Sequence, residues 1–181
     1  MDNLERGAQE AVPERDHAGE EEKLLRAARS NDWAETGLRD RPGFLIRRLH
    51  QIHTALFLQE CASEGITPVQ YSVLTALGQL GPSEQIVISR AVGLDRTSTA
   101  DVMQRLEKRK LIRRRPSPTD GRSKIATLTE VGINLLQRVD EAASAAHSRT
   151  LEPLTAEARR ELMQAMRTIV DAYPDLERKA N

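Results

Sequence analysis

The chain has 181 residues, enough for one sizeable core with an extension, and with 30% charged and 3% aromatic residues it suits a helix-rich protein and excludes an aromatic-rich β-sandwich. Lys/Arg and Asp/Glu both number 27, but residues 1–40 hold 6 basic against 11 acidic residues (net −5) and residues 90–124 hold 11 against 4 (net +7), so an acidic extension precedes a basic module. No apolar stretch is long enough for a bilayer, and the acidic N-terminus does not read as a secretory leader, so a cytoplasmic chain with no membrane partner is expected.

Residues 1–19 are polar, charged and without apolar periodicity, which predicts a disordered acidic tail. Over 20–40 an extra N-terminal helix is expected, with Leu24, Leu25, Ala28 and Trp33 available to dock. Pro42 suits the first turn of a long helix of about six turns, in which Leu45, Leu49, Ile52 and Leu56 recur at helical spacing before Gly65. Thr67 then caps a helix with Pro68 at its first position and Tyr71, Leu74 and Leu77 on one face.

A shorter helix near Ile86–Val92 is followed by Gly93-Leu94-Asp95 and a further helix that Asp95 caps, with Val102, Met103 and Leu106 as its buried stripe. Helix, short glycine turn, helix is the helix-turn-helix pattern. Leu111–Arg115 and Ser123–Leu128 read as strands around a loop of turn formers, a two-stranded wing. Thr129 caps a helix with Leu135, Leu136, Val139, Ala142 and Ala146 inward, and Thr155 caps a last one with Leu162, Met166, Ile169 and Tyr173 on its apolar side. The expected fold is mainly α, with residues 67–128 as a winged helix-turn-helix lobe and residues 41–66 and 129–181 as a long helical region.

A recognition helix must turn polar residues toward base edges while its other side packs on the domain. Arg96, Thr97, Ser98, Asp101, Gln104 and Arg105 fall mainly away from the apolar stripe and are the expected contacts to double-stranded DNA. Arginine can pair with guanine and glutamine with adenine in bidentate fashion. In the wing, Arg113, Arg114 and Arg115 on one strand and Arg122 and Lys124 near the other gather positive charge that attracts phosphate. Asp120 is close enough to brace Arg122 for entry into a narrow minor groove.

Taken as a set, Asp95-Arg96-Thr97 running to Leu106-Glu107-Lys108, Leu111-Ile112-Arg113-Arg114, and Asp120-Gly121-Arg122 followed by Leu128-Thr129 resemble the MarR family of bacterial regulators over roughly residues 42–172. Within it, Arg41-Pro42-Gly43-Phe44-Leu45-Ile46-Arg47-Arg48-Leu49-His50 with Thr67-Pro68-Val69-Gln70-Tyr71 looks like regulators of aromatic-acid catabolism, including nicotinate degradation. Two positions depart from the pattern: Ser123 stands where a second basic wing residue is usual, and Ile86 where a polar helix cap is usual.

The resemblance implies an obligate homodimer through the long first helix and the last two helices. It also implies a pseudo-palindromic operator, repression as the default, and release by a small aromatic acid. A carboxylate effector needs a cation and hydrogen-bond donors in an apolar site, for which Arg47, His50, His53 and Tyr71 are the candidates. Asn31-Asp32-Trp33 is similar to a string in relatives that respond to urate, but Val102 stands where those relatives carry a urate-contacting arginine, so urate is not expected.

Other chemistries are weaker. Cys61 is the only cysteine, which excludes an intrachain disulfide and a cysteine zinc site, and a redox-sensing regulator through this thiol is an alternative. It lies near the end of its helix, whereas peroxide-sensing relatives place their thiol near the start. A small metal-dependent hydrolase would have to draw on His17, His50, His53 and His147, but no nucleophile elbow, phosphate loop or metal-helix motif accompanies them. Neither a cofactor nor a bound metal is expected.

Overall fold

The computed structural model describes residues 17–30, 32–34, 36–118 and 123–174. The chain divides into two compact units, 1–49 and 50–181. The expected tail 1–19 falls almost wholly outside the described residues.

In the first unit, helix α1 spans His17–Ser30, starting three residues earlier and ending sooner than the sequence suggests. Its buried residue is Ala27, not Ala28, while Leu24 and Leu25 are 38% and 51% exposed. Trp33 is half-buried, and its carbonyl accepts the Thr36 hydroxyl at 2.7 Å. A short 3-10 turn at Leu38–Asp40 leads to Pro42, where helix α2 begins and runs to Glu60, with residues 42–49 in the first unit and everything from His50 onward in the second. At 19 residues it is about a turn shorter than expected. A separate 3-10 turn, Ala62–Glu64, covers the remaining distance to Gly65, which sits in the left-handed region at φ 56°. The residue that α2 buries is Phe57; Leu45 and Ile52 of the expected stripe are 49% and 46% exposed.

In the second unit, helix α3 (Pro68–Leu80) opens with a complete capping box, Thr67 accepting from the Gln70 amide and Gln70 from that of Thr67. Strand β1 (Ser83–Glu84) and helix α4 (Gln85–Val92) follow. Helix α5 is Arg96–Lys108, the hairpin strands are β2 (Ile112–Pro116) and β3 (Lys124–Leu128), and helices α6 (Glu130–Leu151) and α7 (Ala156–Asp171) complete the described part.

The expected two-stranded wing is instead part of a three-stranded antiparallel sheet in the order β1-β3-β2. Ser83 pairs with Ala126 and Glu84 with Ile125, while Ile112 to Pro116 pair with Leu128 to Lys124. Two residues beside Pro82 are too few to show the alternation by which a strand is read from sequence.

One core gathers Phe57, Ile66, Val73, Leu74, Leu77, Ile88, Met103, Leu106, Ile112, Val139 and Ala143 with their neighbours. From α5 the core takes Met103 and Leu106 fully and Val102 in part, and it adds Thr99, whose hydroxyl returns to the Asp95 carbonyl at 2.8 Å. Cys61 is 1% exposed in this core. No residue of α7 is buried, and Ile169 and Tyr173 are 59% and 58% exposed. Among the described residues no helix is long and apolar enough to cross a membrane.

Candidate functional site

The helix-turn-helix is built from local hydrogen bonds that leave one side of α5 open. Gly93 ends α4 in the left-handed conformation at φ 65°, and the Ser89 hydroxyl closes the turn by donating to the Leu94 carbonyl at 2.8 Å. Asp95 then caps α5, accepting from the Ser98 amide at 2.8 Å and the Ser98 hydroxyl at 2.6 Å. These bonds, the Ser98 hydroxyl first, hold the Asp95 carboxyl below its ordinary pKa. Gln85 at the start of α4 donates to the Arg96 carbonyl at 3.0 Å. Arg96, Thr97, Asp101, Gln104 and Arg105 are exposed, with Thr99, Met103 and Leu106 buried behind them. Ser98 is half-buried, and its hydroxyl proton is committed to the cap.

The wing sorts its arginines by strand alternation. Arg113 and Arg115 are exposed on β2. Arg114 does not join them: its guanidinium donates twice to Glu107 Oε2, at 2.8 and 2.6 Å, and its amide donates to Oε1 at 3.2 Å. These bonds pull the Glu107 pKa down and withdraw one of the expected phosphate-attracting charges. Lys124 is exposed at the start of β3. Asp120 and Arg122, the expected wing-tip pair, lie outside the described residues. Ser123, standing where a second basic residue was expected, donates its hydroxyl to Glu84 Oε1 at 2.9 Å, bracing the hairpin base against the start of α4. Glu84 is the N-cap of α4, so the helix begins ahead of Ile86 and without a side-chain cap.

An open cleft of about 400 Å³ lies among α2, α3, α4 and α6, lined in part by His53, Phe57, Tyr71, Thr75, Gln79 and His147. His53 and His147 stack at 5.0 Å with their rings 13° from parallel, and Phe57 packs at 5.5 Å against Tyr71. His53 Nδ1 is 2.9 Å from the Thr150 hydroxyl. Burial pushes the His53 pKa below the ordinary histidine value, and the charges of His147 and then His50 repel its proton further. Thr75 Oγ1 is buried with no hydrogen-bond partner among the described residues. Among the described residues, no Lys, Arg, Asp or Glu lines the cleft.

Of the four expected effector ligands, the cleft brings together His53 and Tyr71. His50 is exposed and does not line it. Arg47 belongs to the first unit, where its guanidinium lies 5.3 Å from the centre of the Phe44 ring.

Comparison with known proteins decides what this arrangement belongs to. The MarR family profile matches residues 66–124, from two residues before α3 to the first residue of β3. The transcriptional repressor NicR of Pseudomonas putida is 32% identical over 130 residues, 72% of this chain and 82% of its own. This chain belongs to the MarR family. Among solved structures, BpsR of Bordetella bronchiseptica, described with regulation of its DNA binding by 6-hydroxynicotinic acid, matches with 29% identity and a TM-score of 0.67, over 71% of this chain and 97% of its own. The repressor CouR, bound to a 23-mer DNA duplex, matches with 30% identity and a TM-score of 0.68, over 76% of this chain and 96% of its own.

The chain is thus a MarR-family transcription regulator, related to regulators of aromatic-acid catabolism. Sequence reasoning did not reach Phe57, Thr75, Gln79 and His147 as cleft residues of this MarR protein. Gln79 and Thr75 lie four apart on the α3 side that also carries Tyr71, a helical spacing that could have pointed to them. His147 carries no such signal, because its ring reaches His53 only through the packing of α6 beside α2.

Proposed function

We propose that the protein acts as a homodimeric repressor that holds a pseudo-palindromic operator and is released by a small aromatic carboxylic acid. The observation that carries the DNA reading is the segregation of α5: five polar or charged side chains face outward while Thr99, Met103 and Leu106 anchor its back. Two such helices, one from each protomer, would enter successive major grooves roughly 34 Å apart. In this reading Arg96, Gln104 and Arg105 meet base edges, Thr97, Ser98 and Asp101 complete the helix contacts, and Asp120, Arg122 and Lys124 form the wing contact. CouR, described as bound to a DNA duplex, supports it.

The effector reading rests on the aromatic cleft, whose size suits a single-ring ligand. His53, Tyr71, His147 and Thr75 offer hydrogen-bonding groups around Phe57. Arg47 and His50 stay in the proposal on the sequence argument that a carboxylate needs a cation. BpsR, whose DNA binding is described as regulated by 6-hydroxynicotinic acid, indicates the chemical class.

The test is a gel shift on DNA flanking the protein's own gene with wild type, Arg96→Ala and Arg122→Ala, repeated with hydroxybenzoates and 6-hydroxynicotinate. Both variants are expected to bind more weakly, and Arg122→Ala to lower the salt slope by about one. Equal affinity of all three proteins would remove the DNA assignment. Operator binding unmoved by every acid would remove the effector assignment.

A further inference from the structure

The two ends of the recognition helix are held in different ways. Its start is fixed locally by Asp95, Ser98 and Gln85. Its far end is fixed across the fold. Arg109, the C-cap of α5, donates from Nη1 to the Gly65 carbonyl at 2.8 Å and from Nη2 to the Glu64 carbonyl at 3.0 Å. Both carbonyls belong to the corner between α2 and α3. From α6, Arg138 grips the Glu64 carboxylate with Nε and Nη2, each at 3.0 Å.

Glu64 therefore sits between two guanidinium groups, and the Arg138 hydrogen bonds are the first cause of its lowered pKa. One turn earlier, Glu60 pairs with Arg149, also on α6. The end of α2 is thus tied twice to α6, and one of those ties continues into α5.

Resting on the DNA-binding reading above, we infer that Arg109, Glu64 and Arg138 form a positioning clasp through which α6 sets the angle of the recognition helix, and hence its fit to the operator. None of the three need touch DNA. Losing a positioning group lowers affinity only where exact side-chain placement matters, which is base-specific contact. General attraction to phosphate depends on net surface charge and tolerates small rotations. The clasp should therefore govern selectivity between operator and non-operator DNA.

The experiment uses the full chain and an operator selected by wild type from a random duplex pool. Affinity for that operator and for a scrambled duplex is measured across a salt series for wild type, Glu64→Gln, Arg138→Gln, their double variant, Arg109→Lys and Arg109→Ala. Melting curves confirm that each variant is folded. Glu64→Gln, Arg138→Gln and the double variant are expected to lose operator affinity by the same factor, about threefold, because all three break one shared pair. Arg109→Ala should lose about tenfold and Arg109→Lys less, since lysine retains one donor for the corner carbonyls. Scrambled-duplex affinity and the salt slope should stay at the wild-type values in the double variant and in Arg109→Lys, which keep the net charge.

Multiplying losses in the double variant would show that Glu64 and Arg138 do not act through each other. A salt slope lowered by about one in Arg109→Ala, with equal loss on both duplexes, would make Arg109 an ordinary phosphate contact. Either outcome overturns the clasp while leaving the DNA-binding reading intact, whereas failure of wild type to select any sequence would overturn that reading itself.

Discussion

At Gly132, in the first turn of α6, the residue is chosen by the lack of room for a side chain. A Cβ built there would stand 2.1 Å from the Leu111 carbonyl oxygen, and that carbonyl accepts the Thr129 amide and so cannot swing aside freely. Gly132→Ala should lower stability by about 3 kcal/mol, the upper range for forcing a methyl group into a packed site, and thermal melting will read it as a drop of several degrees. His53 gives a second residue-scale prediction. Its proton is disfavoured first by burial, then by His147 and His50. Followed by NMR, His53 should titrate below a free histidine, and His147→Gln should move its midpoint upward by removing one repelling neighbour. The sign for stability follows: the unfolded chain takes up this proton before the folded one, so stability falls as pH drops through the ordinary histidine range. The same acid-side loss is expected from Asp95, Glu64 and Glu107, whose carboxyls titrate below their ordinary values when folded. Their contribution is present above about pH 4 and disappears as pH falls further.

Among the elements, α5 shows best how local chemistry and tertiary contact share the work. It ends in a Schellman stop, with the Leu111 amide bonded to the Leu106 carbonyl at 3.0 Å and the Lys110 amide to that of Glu107 at 2.9 Å. Lys110 takes the left-handed position at φ 59°, which costs a residue bearing a Cβ about 1 kcal/mol or more. Lys110→Gly should relieve that cost against a smaller loss of chain entropy. A net gain of about half a kcal/mol is expected, measurable as a small rise in denaturation midpoint. The stop was hidden because the sequence offers no glycine there. The caps of α3, α5, α6 and α7, by contrast, stood in the sequence at Thr67, Asp95, Thr129 and Thr155, and each side chain accepts the amide its spacing calls for. A cap spans four residues, so its geometry needs nothing from the rest of the chain.

For the whole molecule, α7 asks for a partner. Its apolar side carries Leu162, Met166 and Ile169, yet the single chain buries none of them. Under the proposed dimer, light scattering should find two chains per particle. Leu162→Glu with Met166→Glu should give a monomer whose operator affinity falls by more than about tenfold, because a single half-site then carries all the contacts. A variant that stays dimeric would place the interface elsewhere.

What the sequence determined by itself was whatever depends on a few neighbouring residues: the starts of α2, α3, α5, α6 and α7, the glycine turns at Gly65 and Gly93, the hairpin strands, the outward polar side of α5 and the family resemblance. What only the tertiary structure decided was whatever joins distant segments. Ser83 and Glu84 become a third strand because β3 offers them an edge. Arg114 leaves the basic surface because Glu107 lies within reach. His147 comes to the cleft because α6 packs beside α2, and Arg109 reaches the corner after α2 because α5 ends beside it. Local hydrogen bonds and periodicity are written residue by residue, whereas which side chains meet depends on how the helices pack.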